Sequence, residues 1–197
     1  MPEGRPAIPR ALERDVLVEA GHRCAIPTCR QWPVDIEHID DWSKVKEHKF
    51  ENLIALCPIC HRRKGDKPGQ IDRLALRQYK ANLAFLHDRY GDLERRLLED
   101  YAERRAKGDL TDEDGDPFNY YQLGPGSQLL LRYLLKDGYL ERLEARVPKI
   151  GGMALTEYYQ FTTAGDEFVD RWVKAQPVDP AADANDDRAS TSSETIS

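Results

Sequence analysis

Four cysteines constrain this 197-residue chain more than any other feature, and all of them lie between positions 24 and 60. They come as two close pairs: Cys24-Ala25-Ile26-Pro27-Thr28-Cys29 is C-x4-C, and Cys57-Pro58-Ile59-Cys60 is C-x2-C. Each short turn aims two sulfurs at one point, and two such turns supply the four thiolates of a tetrahedral zinc site. The alternative is a pair of disulfides, but a bridge inside C-x2-C closes a small, strained, redox-active ring. The spacing therefore predicts a structural zinc ion held by Cys24, Cys29, Cys57 and Cys60, with no coordination position left for chemistry. Reduced thiolates imply a reducing compartment, and so a cytoplasmic protein.

Charge separates the chain into unequal parts. The 29 basic and 35 acidic side chains give a net charge of −6. Residues 1–80 hold 15 basic and 12 acidic groups, a net of +3, and residues 81–197 hold 14 and 23, a net of −9. A polyanion is attracted by the first part and repelled by the second, so a nucleic acid would bind the N-terminal part. No run approaches the roughly 18 apolar residues of a membrane span. The opening Met1-Pro2-Glu3-Gly4-Arg5 also lacks the apolar core of a secretory signal. Membrane and processed secreted proteins are both disfavoured.

Hydrophobic spacing predicts the elements. Residues 1–8 are Pro-rich and expected to be extended. Arg10 to Ala20 reads as an amphipathic helix with Leu12, Val16 and Leu17 on one side, ended by Gly21. Trp32 to Ile39 alternates as a strand does, with Trp32, Val34 and Ile36 opposite Asp35 and Glu37. Residues 40–51 form a polar loop, Leu53 to Leu56 is a short apolar piece, and Pro58 opens a helix running through Lys64 to Gly65. From Gln70 the chain reads as helix, with Leu76, Tyr79, Leu83, Leu86, Tyr90, Leu93 and Leu97 at alternating intervals of 3 and 4. Such a repeat fits a dimerising coiled-coil seam over residues 76–97, and it fits equally one or two helices packing on their own domain. Gly91-Asp92 is a candidate break with Asp92 as the next N-cap.

Residues 108–116 are acidic and rich in turn formers, a linker. Beyond them the order is helix (Gln128 to Lys136), strand (Tyr139 to Val147), turn (Pro148 to Gly152), strand (Leu155 to Phe161) and a helix after Thr162-Thr163-Ala164-Gly165. The pattern over residues 117–175 resembles a winged-helix module. That module carries seven basic and seven acidic groups, which suits protein docking or signal sensing at least as well as DNA binding. Residues 176–197 are expected to form a disordered tail.

Between and after the cysteine pairs lie Glu37-His38, then Asn52, then His61. Thirteen residues separate His38 from Asn52, and eight separate Asn52 from His61. With the four cysteines these positions resemble the HNH endonucleases, or ββα-metal nucleases, over about residues 10–66. The C-x4-C first pair replaces the C-x2-C of many members and stays within zinc-ligand spacing. The resemblance implies a small zinc-stabilised ββα-metal domain (residues 1–69); with the connecting helix or helix pair (70–107), the linker, the winged-helix-like module and the tail read above, the expected fold class is α+β. The resemblance also implies His38 as general base, Glu37 and His61 as ligands of a catalytic Mg²⁺ or Mn²⁺, and Asn52 as a residue that orients the loop holding the base.

Elementary chemistry agrees with that resemblance. Phosphodiester hydrolysis needs a proton acceptor for water and a cation on the phosphate. Each residue also has a plainer role: His38 as a half-buried strand residue, His61 as a spare zinc ligand, Glu37 as a solvated carboxylate. Asp40 and Asp41 could substitute for Glu37 or serve as loop acids. Arg62, Arg63 and Lys64 are candidates for phosphate contact or an ordinary basic helix end.

The leading expectation is a metal-dependent DNA endonuclease, which by analogy of layout would serve bacterial anti-phage defence, with a protein partner or regulatory signal acting through residues 117–175. Two alternatives stand beside it. One is a non-catalytic zinc and winged-helix regulator that binds nucleic acid or protein. The other is a nuclease held inactive until a partner arrives.

Overall fold

A computed structural model describes residues 6–108, 120–144, 149–151 and 153–179. The expectations for residues 1–5, for the acidic stretch 109–116, for most of the wing turn (145–148 and 152) and for the tail from 180 onward lie outside the described residues. The chain forms two compact units, one of residues 1–85 with 172–197 and one of residues 86–171.

The first unit is built around one short strand. Helix α1, Arg10–Glu19, buries Val16, and Gly21 at φ +61° ends it with His22 N–H on the Leu17 carbonyl at 2.7 Å. Strand β1, Asp35–His38, pairs antiparallel with β2, Leu53–Leu56, in the register His38 opposite Leu53 and Glu37 opposite Ile54. All four residues of β2 are buried, and their alternation sends side chains to two faces. Leu53 and Ala55 join Val16 and Ala20, whereas Ile54 and Leu56 join Cys24, Ile39, Cys57, Cys60, Leu76 and Tyr79. Helix α2 is Trp42–Val45, a 3₁₀ turn covers Phe50–Asn52, and α3 is Pro58–Arg62. Helix α4, Arg73–Arg89, starts where the Asp72 carboxylate accepts from Ala75 N–H at 2.8 Å. A Lys80–Glu19 ion pair, with both side chains under a tenth exposed, ties α4 to α1, and the Lys80 ammonium lies 3.5 Å from the centre of the Phe50 ring. Desolvation by burial raises the Glu19 pKa and lowers that of Lys80.

Two expectations change here. The predicted strand from Trp32 is only four residues long, because β2 ends opposite Asp35 and the chain beyond Leu56 turns into the second cysteine pair. Trp32 is 73% exposed and faces no strand. The helix after Pro58 stops at Arg62, and Lys64 instead forms an isolated bridge with Ile71.

The second unit holds α5, Asp92–Lys107, and a three-stranded antiparallel sheet of order β3-β7-β4, where β3 is Tyr121–Leu123, β4 is Leu140–Arg142 and β7 is Glu157–Phe161. The hairpin β5, Lys149–Ile150, with β6, Met153–Ala154, lies between β4 and β7 in sequence. Helix α6 is only Arg132–Lys136, preceded by a 3₁₀ turn at Ser127–Leu129, and the last helix is α7, Thr163–Val173. The expected helix from Gln128 is thus broken, and Leu129 and Leu130 are exposed. Gly165 has no side chain because a Cβ would meet the Tyr139 carbonyl oxygen at 2.1 Å.

The long helix is a pair. It breaks at Gly91, which itself is the N-cap of α5, in place of Asp92. Of the seven seam residues, Leu76, Tyr79, Leu83, Leu86, Tyr90 and Leu97 are already buried in the single chain, so no apolar stripe is left on them for a second copy. Glu94 does unusual work for a carboxylate that is 1% exposed. It accepts from Gly91 N–H at 2.8 Å, from Tyr133 N–H at 2.8 Å and from Leu134 N–H at 3.0 Å, capping α5 and α6 together. Glu94→Ala is expected to cost about 3 kcal/mol by leaving buried N–H groups without an acceptor. A chemical denaturation curve of the variant measures that loss.

Candidate functional site

Local rules bring the cysteines together. Cys57 is the N-cap of α3, with Pro58 at the first helical position and the Cys57 sulfur accepting from Cys60 N–H at 3.4 Å. The first pair is shaped by Arg30, whose guanidinium donates to the Cys24 carbonyl at 2.9 Å and to the Ala20 carbonyl at 3.1 Å. The four sulfurs lie within 4.8 Å of one another, and the Cys29 and Cys57 sulfurs are 3.6 Å apart. Thiolates on a tetrahedral zinc at about 2.3 Å are roughly 3.8 Å apart, so the donor set fits that ion. Without a cation the thiols cannot all ionise. A hydrogen bond from Cys60 lowers the Cys24 pKa to about 5, burial pushes Cys29 up to about 11, and the thiol–thiolate contact with Cys24 pushes Cys60 far above the usual thiol range.

Beside this cluster, β1 and α3 carry the remaining expected residues. Glu37 Oε2 and His61 Nε2 are 2.9 Å apart. Two adjacent ligands of an octahedral cation at about 2.1 Å would be about 3 Å apart, so the pair fits one edge of a Mg²⁺ or Mn²⁺ site. Both side chains reach solvent, Glu37 at 21% and His61 at 44% exposure. The other carboxylate oxygen, Glu37 Oε1, accepts from Lys64 Nζ at 2.9 Å. Lys64 also donates to the His38 carbonyl and approaches Asp41 Oδ1 at 3.4 Å. Lys64 therefore turns inward and fixes Glu37, while Arg62 and Arg63 remain exposed.

Asn52 ends the 3₁₀ turn immediately before β2. Its Oδ1 accepts from Asp40 N–H at 2.7 Å, its Nδ2 donates to the Asp40 carbonyl at 3.1 Å, and its own carbonyl accepts from Ile39 N–H at 2.8 Å. Asn52 thus clamps the two residues that follow His38. Arg77 pairs with the Asp40 carboxylate, and Arg73 lies 3.9 Å from it.

His38, the last residue of β1, is 2% exposed. Its Nε2 is 3.1 Å from His48 Nδ1, and Trp42 meets its ring edge-on at 5.7 Å between centroids. Sequence reasoning did not find His48, Trp42 or the inward role of Lys64. The missed signal was a second histidine in the polar loop, ten residues after the first.

A two-stranded sheet with a helix, four clustered cysteines and a histidine–carboxylate pair at the strand–helix junction make up a small thiol-rich domain of ββα layout, whose four cysteines could hold a metal ion. The family model of the HNH endonuclease matches residues 22–67, and the chain carries an HNH endonuclease domain there. No curated protein and no solved structure matches the chain. Among the described residues no helix is long and apolar enough to cross a membrane.

Proposed function

We propose that the chain is a metal-dependent endonuclease that hydrolyses DNA phosphodiester bonds, with Zn²⁺ on the four cysteines as scaffold and Mg²⁺ or Mn²⁺ on Glu37 and His61. The observation that carries this reading is the 2.9 Å Glu37–His61 pair, on solvent-reaching side chains beside a preorganised histidine. A scaffold needs only the cysteines. When bound, the cation would neutralise charge on the scissile phosphate and on the leaving oxygen. The protein's own residues do the rest. His38 takes a proton from the attacking water, whose oxygen bonds to phosphorus, and the P–O3′ bond breaks with its electron pair on O3′. Lys64 keeps Glu37 Oε1 occupied, so that Oε2 stays toward His61. Asn52 holds the backbone at residues 39 and 40, and Arg62 and Arg63 offer exposed charge to flanking phosphates.

Glu37→Ala and His61→Ala are expected to raise the Mg²⁺ concentration for half-maximal cleavage by about tenfold or more. A plasmid-nicking rate titrated with Mg²⁺ tests this, and an unshifted titration removes that residue from the metal site.

His38's burial favours a second form of the same reading, a nuclease whose base becomes reachable only when substrate or a partner opens a path to it, with His48 still in place beside it. The second unit supports a regulatory role more than a DNA grip. Its sheet order and its β5–β6 hairpin support a winged-helix-like layout, but the five-residue α6 is short for reading a groove. A place in anti-phage defence stays an analogy of layout.

A further inference from the structure

His48 belongs to no expected site, yet it is placed by several independent devices. Lys46 adopts a left-handed conformation (φ +48°) and closes α2 through its N–H on the Trp42 carbonyl at 2.8 Å, which turns the chain back on itself. His48 then stacks on Trp42, with ring centroids 4.5 Å apart and planes at 29°. Its Nδ1 lies 3.1 Å from His38 Nε2, and its Nε2 lies 3.1 Å from the Pro6 carbonyl oxygen.

The order of donors along this chain follows from one fact: a backbone carbonyl can only accept. His48 Nε2 must therefore carry a hydrogen. In a neutral imidazole the other nitrogen then has the lone pair, so His48 Nδ1 accepts, and His38 Nε2–H is the donor. His38 is left with its lone pair on Nδ1. We infer that His48 is the positioning residue of the base: through the chain His38 Nε2–H to His48 to the Pro6 carbonyl, it fixes the ring orientation and makes Nδ1 the atom that takes the proton. The arrangement does for His38 what an orienting carboxylate does for a triad histidine, with a neutral acceptor in place of a charged one. As a catalytic role it rests on the nuclease reading above; the proton wiring itself does not.

The test has two arms. In ¹⁵N imidazole spectra of the metal-free, DNA-free full chain, His38 is expected as the Nε2–H tautomer, with a scalar coupling across the hydrogen bond to His48 Nδ1. A His38 proton on Nδ1, or no such coupling in the folded protein, overturns the wiring whether or not the protein cleaves DNA. In the kinetic arm, His48→Ala is expected to lower kcat by about 10- to 100-fold with KM for plasmid unchanged. His48→Asn, whose side-chain oxygen can accept in place of Nδ1, should recover most of that loss. Equal kcat for wild type and His48→Ala would overturn the positioning role, and so would equal losses in the Ala and Asn variants. Absence of cleavage by the wild type would instead count against the nuclease reading, with the spectra still deciding the wiring.

Discussion

Replacing Cys57 with serine should unfold the first compact unit. Serine matches cysteine in shape, so the substitution leaves no large cavity and isolates the loss of one thiolate. That thiolate has three tasks. It belongs to the cluster of four sulfurs within 4.8 Å, it caps α3 by accepting from Cys60 N–H, and it lies in the core that Ile54 and Leu56 share with Leu76 and Tyr79. A short two-stranded sheet is marginal alone, and structural zinc in small domains supplies on the order of 10 kcal/mol of folding free energy. The expected result is loss of about one equivalent of bound zinc together with loss of the cooperative melt of this unit. Zinc content by elemental analysis and a thermal melt by circular dichroism measure both. A melt identical to the wild type would show that the cluster does not depend on metal.

Replacing His38 should remove catalysis and leave the zinc in place. General-base assistance contributes about 10²- to 10⁴-fold, so His38→Gln is expected to lower the cleavage rate by that factor. The His38 ring meets His48 and Trp42, and its carbonyl is held by Lys64, none of which belongs to the cysteine cluster. Zinc content and plasmid binding should therefore persist. His38 is buried, so a circular dichroism spectrum must accompany the rate, and Gln keeps volume and polarity where Ala would open a cavity. A rate within threefold of the wild type in a folded variant would remove His38 from the base role.

Legibility followed the kind of interaction involved. The cysteine cluster was readable because two knuckles encode it locally, and α1 was readable from the helical spacing of Leu12, Val16 and Leu17; Leu53–Leu56 read only as a short apolar piece, because a strand buried on both faces shows no alternation. The break at Gly91 was legible as a breaker signal. Its cap is the local pair of Gly91 with Glu94 three residues on, rather than Asp92; what no local pattern shows is that Glu94 also captures the N–H groups of Tyr133 and Leu134 about forty residues away. The same nonlocal capture shortened the helix expected from Gln128. The heptad spacing was real as a pattern, but helices buried in their own chain show the same period as coiled coils, and only burial separates the two. Strand β3 was missed because three residues, Tyr121–Leu123, give too short an alternation to stand out. At the site, Glu37, His38, Asn52 and His61 were marked by a motif. Lys64 had the look of a solvated basic helix end, and its inward turn depends on the bridge to Ile71. His48 has no spacing rule at all. It is brought to His38 by the left-handed Lys46 and by Trp42, neither of which announces itself in a polar loop.

The central claim is that Glu37, His38 and His61 form a metal-dependent phosphodiesterase centre on a zinc-bound scaffold. The most direct measurement is conversion of supercoiled plasmid to nicked or linear DNA by the purified, zinc-loaded full chain, with Mg²⁺ or Mn²⁺ added and then removed by a chelator too weak to strip the four-cysteine site. The account predicts cleavage that appears with the added cation and stops on its removal while the zinc stays bound. Cleavage that continues unchanged after the cation is removed would contradict it, as would intact plasmid at every Mg²⁺ and Mn²⁺ concentration with zinc bound and the protein folded.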